Sequence, residues 1–409
     1  MPDLKLLFLQ MMVILVAARL TAAAAKRLRQ PAVVGEMVAG ILLGPSLLGR
    51  ISPAAMNSLF PAGGLGPLYA LSQVGLVLFM FLVGLEVRPD TIRGSAKSVI
   101  FTSQASIAAP LLCGGILAWN LYPHLAGSAS RLSFVLFLGA AMGITAFPVL
   151  ARILADRKMM STRAGTFAIS CAAVDDVTVW CMLAVITVIE RPDATNTPLA
   201  LRFGTLIIYV LAMLFLIRPG LWRWVPANPP ESLGWFGAAM IFLLGSVCVT
   251  EALGVHALFG AFLAGIVMPR GGKMEAENRD RLESVTLVLL LPLFFAYTGL
   301  RTSIALLNTV DAWLLCGLIL LIAVGSKLLV SALCVRASGM AWRDSLAVGV
   351  LVNTRGLVEL VILNVGLELH IISPTLFSMM VIMALATTLM TGPLIDRILP
   401  PSSWQSSPG

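Results

Sequence analysis

The chain has 409 residues, 58% of them hydrophobic and 12% charged, with mean hydropathy +0.94 and net charge +8. Ordinary soluble domains carry about 25% charged residues, and here apolar runs long enough to cross a bilayer recur along the whole length. That excludes a soluble globular fold. It also excludes a nucleic-acid partner for the positive charge, because the basic residues flank apolar runs.

The first apolar run, 4–25, is followed by Lys26, Arg27 and Arg29, whereas a secretory signal has its basic cluster in front. It reads as a first membrane span with a cytoplasmic basic end. Further spans are expected at 31–49, 68–87, 97–119, 132–154, 163–189, 201–218, 234–252, 256–269, 284–302, 311–335, 343–367 and 373–395. The fold class is therefore an all-α polytopic membrane protein of about 13 transmembrane helices. Spans 31–49 and 256–269 are short and glycine-rich, and each is open to a re-entrant reading. Loops after odd-numbered spans hold 19 Lys and Arg, against 6 on the other face. The positive-inside rule then puts the N-terminus outside and the C-terminus in the cytoplasm, in a multi-pass protein of the cell inner membrane. The longest hydrophilic stretch, 270–283, mixes signs and reads as a solvated connector, and 397–409 as a short cytoplasmic tail. The 6 cysteines lie in or beside apolar runs with no CxxC pair, and the 3 histidines offer no metal cluster. Nothing calls for a cofactor.

Ionisable groups inside a span are costly and mark interior cavities. Asp175 and Asp176 sit in the middle of the sixth span. Neighbours on a helix point about 100° apart, so one can bind an ion while the other pairs with a fixed charge. Burying two adjacent carboxylates penalises the doubly ionised state, which suits one of them to carrying a proton. Lys327 lies in the middle of the eleventh span, too deep to snorkel, and needs a carboxylate such as Asp175 or Asp176. A static structural ion pair is the competing reading. Glu36, Glu86, and Glu251 with His256 lie near span ends, where an interface location is the plain reading; Glu36 is the best further candidate for a cavity-lining acid. Gly35, Gly40 and Gly44 are spaced for close helix contact.

Two spans look interrupted. The fifth contains Gly143-Ile144-Thr145-Ala146-Phe147-Pro148 and the twelfth Asn353-Thr354-Arg355-Gly356. Pro148 removes a backbone donor and is expected to free the Ile144 carbonyl; Gly356 permits backbone that other residues resist. Irregular backbone at membrane depth survives only where protein or a cavity covers it. Thr145, Asn353 and Thr354 can satisfy the freed groups or ligate an ion. Arg355 and Glu359 share a helical face, so Arg355 can neutralise carbonyl ends and Glu359 can pair with it.

The interruptions are seven spans apart. Residues 1–190 (spans one to six) and 234–396 (spans eight to thirteen) then form two halves, with 191–233 as a linker span. Each half has its break in its fifth member, and the second half is inverted. That is the layout of secondary transporters, with a midplane site between two crossed discontinuous helices.

The stretches 30–49, 81–86, 143–152, 173–177, 256–269, 291–301 and 353–360, in this order, resemble the membrane domain of the monovalent cation:proton antiporter-2 family. This family includes bacterial sodium/proton antiporters and plant cation/proton exchangers. The resemblance implies a sodium/proton antiporter-like fold and a homodimer. It also implies a moving core from spans four to six and eleven to thirteen, with a scaffold from the others. It makes Asp176 the main ion-binding carboxylate, Asp175 the partner of Lys327, and the pair plus lysine a mark of electrogenic exchange. No nucleotide-binding domain is recognised, which argues against the family's potassium-efflux branch.

The expected function is antiport of Na⁺ or K⁺, with Li⁺ a third candidate, against H⁺ by alternating access, serving pH homeostasis. Asp176 would take a cation or a proton, with Thr145 and backbone carbonyls as further ligands. A cation channel is the alternative, disfavoured by the lack of a repeated carbonyl-rich filter motif. Adjacent aspartates do not face each other across a substrate as an intramembrane protease requires, so the chain is not read as an enzyme.

Overall fold

The computed structural model describes residues 4–28, 30–86, 96–160, 162–190, 199–224, 232–269 and 273–399. Arg29, Arg88, Arg93, Arg191 and Arg270 of the topology reading lie outside them, as do residues 400–409 of the tail. Among the described residues β-structure is limited to an isolated bridge between Ala126 and Ile372. The main helices are α1 (Leu4–Arg27), α2 (Ala32–Leu43), α3 (Gly66–Glu86), α4 (Ala96–Leu125), α5 (Arg131–Gly143), α6 (Phe147–Asp156), α7 (Arg163–Glu190), α8 (Leu199–Leu211), α9 (Ser232–Ala252) and α10 (Ala257–Val267). They continue as α11 (Lys273–Val285), α12 (Leu291–Arg301), α13 (Val310–Ala337), α14 (Trp342–Val352), α15 (Leu357–Glu368) and α16 (Pro374–Ile398).

Eleven described segments are long and apolar enough to cross a membrane, and α14 with α15, bent by 40°, makes a twelfth. The expected ninth span is α10, 11 residues long, or about 16 Å against a hydrocarbon core of about 30 Å. It is buried on nearly all sides, and Gly265 meets the backbone of Gly84 on α3. Wrapped in protein, it needs no lipid-matched length.

The stretch 270–283 differs from expectation. From Lys273 onward it is helical, forming α11, which runs through a π-helical segment (Thr286–Leu290) into α12. Its charges explain the helix: Arg279 pairs with Glu283 one turn on at 3.6 Å and with Glu86 at 2.5 Å. A second π-helical segment, Ala212–Ile217, follows α8.

By its internal packing the chain divides into two compact units. One comprises residues 1–15, 60–88 and 184–297. There Glu251 accepts from the Ala257 amide at 2.9 Å and His256 caps α10, so both serve local structure. The other comprises 16–59, 89–183 and 298–409, and holds both interruptions, both aspartates and Lys327. In it α2 packs tightly: Gly35 lies against the backbone at Thr21 and Ala22, and Gly40 and Gly44 against Gly299. Any Cβ at Gly299 would overlap the Gly40 backbone, so the glycines set how close these helices come.

Candidate ion-exchange site

The first break is three residues long. Helix α5 ends at Gly143, and Ile144 (ψ 142°) and Ala146 (ψ 92°) are extended before α6 begins. Pro148 does not create the break. It lies in the first turn of α6, where a missing N–H costs no helical bond. The expected loss at Ile144 therefore does not arise, because Ile144 is already outside the helix as the residue following α5.

The second break runs from Asn353 to Gly356. Gly356 has φ +151°, a region closed to residues with a Cβ, and a Cβ there would meet Val149 Cγ2 at 2.9 Å. This glycine is what lets α15 restart at a new angle.

The two breaks satisfy each other. The Ala146 amide donates to the Thr354 carbonyl at 2.9 Å. Thr145 Oγ1 lies 2.7 Å from the Val352 carbonyl oxygen, at the end of α14. In return Arg355 donates to the Ala141 carbonyl at 2.7 Å and to that of Met142, while Lys327 donates to that of Gly143. The last three carbonyls of α5 thus each face a cationic donor. These are the groups that carry the negative end of a helix dipole and that hydrocarbon cannot satisfy. Arg355 also reaches Glu359 Oε1 at 3.4 Å, both side chains being fully buried. On α16, Thr388 donates to the Arg355 carbonyl at 2.6 Å, and Thr354 and Thr391 hydroxyls meet at 3.2 Å.

Asp175 stands beside this crossing on α7. Its Oδ2 takes Thr145 Oγ1 at 2.5 Å and Lys327 Nζ at 3.2 Å; its Oδ1 takes Ser103 Oγ at 2.5 Å. Lys327 and Asp175 are both 0% exposed. Thr145 has one hydroxyl proton for two acceptors, Asp175 and Val352, so it links the carboxylate to the second break. Asp176, the next residue, is buried at 1% exposure. Asn353 is 2% exposed, and its Oδ1 has no hydrogen-bond partner among the described residues.

The structure therefore brings together Asp175, Thr145, Lys327, Arg355, Glu359 and Thr354, with Asp176 and Asn353 as chain neighbours. Glu36 is not in this cluster. It is partly buried on α2, and the charges acting on it are Arg19, Arg152 and Lys26. Sequence reasoning missed Ser103, one of several small polar residues in the fourth span. The sequence signal is the spacing of Ser103 and Ser106, one helical turn apart; serine in a span is common, and only the packing of α4 shows that both are fully buried.

The family model for the transmembrane sodium/hydrogen exchanger matches residues 12–400. The chain is 41% identical over 403 residues to the Na(+)/H(+) antiporter NhaS4 of Synechocystis sp., covering 97% of this chain and 98% of that protein. It is 36% identical to Cation/H(+) antiporter 17 of Arabidopsis thaliana and 32% to K(+)/H(+) antiporter 1 of Saccharomyces cerevisiae. Those matches cover 97% and 98% of this chain but 49% and 48% of the relatives, so the chain spans about half their length. Among solved structures, the sodium proton antiporter MjNhaP1 of Methanocaldococcus jannaschii aligns with a TM-score of 0.66 at 14% identity, over 98% of this chain and 99% of that one; at this identity the likeness is one of fold. The chain belongs to the sodium/hydrogen exchanger transmembrane family.

Proposed function

We propose that the chain exchanges a monovalent cation, Na⁺ or K⁺, for H⁺ by alternating access. The observation that carries this reading is the fully buried pair of adjacent carboxylates with Lys327 at the crossing of two broken spans. Three ionisable groups at that depth are expensive, and a transport site is the usual reason for keeping them. Asp175 already accepts from Ser103, Thr145 and Lys327. Asp175 is thereby the counter-charge, and the family resemblance supports Asp176 as the carboxylate that holds either the cation or a proton, with oxygens from Thr145, Asn353 and the breaks to complete the shell.

Competition at one site yields obligatory exchange. An empty, ionised Asp176 carries a bare charge that crosses hydrocarbon poorly; neutralised by cation or proton it crosses. Arg355 and Lys327 keep the α5 carbonyls neutralised in either state, and Glu359 balances Arg355. The moving body is the core of spans four to six and eleven to thirteen, which carries both breaks, and Glu36 lines the route on its cytoplasmic side. The basic-residue count supports an inner-membrane protein with its N-terminus outside, and the family resemblance supports a homodimer serving cation and pH homeostasis.

The test is cation-driven proton movement in proteoliposomes with an imposed pH gradient and a pH-sensitive dye. Addition of Na⁺, K⁺ or Li⁺ should collapse the gradient for the unaltered protein and not for Asp176→Asn. Unchanged exchange in Asp176→Asn sinks the scheme.

A further inference from the structure

In the proposed exchange Asp175 is a fixed counter-charge, held by Ser103, Thr145 and Lys327. A carboxylate has two oxygens and about four acceptor sites. Both main contacts from the breaks and α13, those of Thr145 and Lys327, fall on Oδ2. Oδ1 is held from another helix, by Ser103 Oγ on α4 at 2.5 Å, its hydrogen-bond donor among the described residues. Ser103 is 0% exposed. Ser106, one turn along, spends its hydroxyl on the Ser103 carbonyl at 2.9 Å and stands 3.5 Å from Oδ2, at the limit of a hydrogen bond.

We infer that Ser103 is a positioning residue: by occupying Asp175 Oδ1 it holds that carboxylate against Lys327 and out of the cation's coordination shell. The inference rests on the assignment of Asp176 as the exchanging group. Without Ser103, Oδ1 is a charged acceptor in a dry interior with no donor. It then turns toward the strongest remaining source of positive charge, the cation held by its neighbour Asp176. A cation shared by two carboxylates is held at least as tightly; the net charge is unchanged, but Lys327 then loses its counter-charge and stands as a bare ammonium in the dry interior, so the loaded site crosses the membrane slowly. Ser103 thus separates two adjacent aspartates into one that moves ions and one that does not.

The experiment compares antiport kinetics of Ser103→Ala, Ser103→Cys and Ser103→Thr with the unaltered protein in proteoliposomes over a range of Na⁺ and K⁺ concentrations. A hydrogen bond to a charged group supports about a tenfold effect. Ser103→Ala should lower kcat about tenfold with KM unchanged or lower. Ser103→Cys, a weak donor, should fall between, and Ser103→Thr, which keeps the hydroxyl, should restore turnover. A raised KM with kcat intact overturns the inference, since Ser103 would then touch the cation itself. Normal kinetics in Ser103→Ala, or slow turnover in Ser103→Thr, overturns it too, the latter by showing that volume matters and the hydroxyl does not. If Ser103→Ala does not fold, Ser103→Cys decides by the same criteria. Asp176→Asn, run in parallel, keeps the two claims apart: its continued exchange defeats the assignment of Asp176, whereas the serine series judges Ser103.

Discussion

The amide of Ala146 donates to the carbonyl of Thr354 at 2.9 Å, joining two interrupted helices 208 residues apart in the chain at the one place where each lacks its own partners. Around that bond every displaced carbonyl of α5 meets a cation and the end of α14 meets a hydroxyl. The breaks are thus a single structure made from two segments, and substitutions in either should be felt in both.

Lys327 serves two groups at once, the Gly143 carbonyl and Asp175. Lys327→Met leaves both without it in the dry interior, and removing one partner of a buried pair costs about 3–5 kcal/mol. Unfolding of the purified protein in mixed detergent micelles should show that loss. Combining it with Asp175→Asn should recover part of the loss, because the double variant no longer buries an uncompensated charge. Simple addition of the two losses would mean that the pair does not interact.

Thr145 gives a cleaner separation of volume from chemistry. Thr145→Val keeps the shape and removes the hydroxyl that links Asp175 to Val352. Exchange rate should fall at least tenfold, on the basis of about 1.5–3 kcal/mol for a hydrogen bond to a charged group. Thr145→Ser should retain most of it. Initial rates of dye recovery in vesicles would settle the comparison, and equal rates for Val and Ser would refute it.

At Gly356 the constraint is backbone shape. With φ at +151° and Val149 in the way, Gly356→Ala should cost about 1–3 kcal/mol. The expected readout is a lower melting temperature in detergent. A melting temperature equal to that of the unaltered protein would mean that the second break relaxes without strain.

A contrasting expectation holds for Arg157 and Asp396. They make two hydrogen bonds, at 3.0 and 3.3 Å, but their side chains are 12% and 36% exposed. Water already screens such a pair, so Asp396→Asn should change stability by about 1 kcal/mol or less. A loss as large as that of Lys327→Met would mark this pair as a second structural centre.

Much of this was legible before any coordinates. Apolar run length gives most of the spans, and the choice of Lys327, of the adjacent Asp175 and Asp176 and of the two interruptions as candidates follows from what hydrocarbon does not tolerate, although the residues alone leave open which aspartate pairs with Lys327. Other parts have no local signature. Pro148 draws attention to the right place for the wrong reason, because a proline in a helical pattern reads as a breaker until one sees that the helix has already stopped at Gly143. The π-helical segments at 212–217 and 286–290 change a turn without changing hydropathy. The helix from Lys273 is hidden by its charges, whose i,i+4 pairing favours it while a hydropathy reading sees a loop. Ser103 becomes visible only when α4 is placed against α7.

The reciprocal capping at the crossing also bears on how the protein is made. Helix α5 emerges from the ribosome with its terminal carbonyls exposed, and the guanidinium that covers Ala141 lies 214 residues further along. At about 5–20 residues per second, roughly 10–40 s of synthesis separate the two. Throughout that interval the fifth span carries polar ends that lipid cannot satisfy. It must wait in the insertion machinery, against a chaperone, or in a provisional pairing with earlier spans until the twelfth arrives. The late-translated third of the chain therefore completes a helix begun in the first.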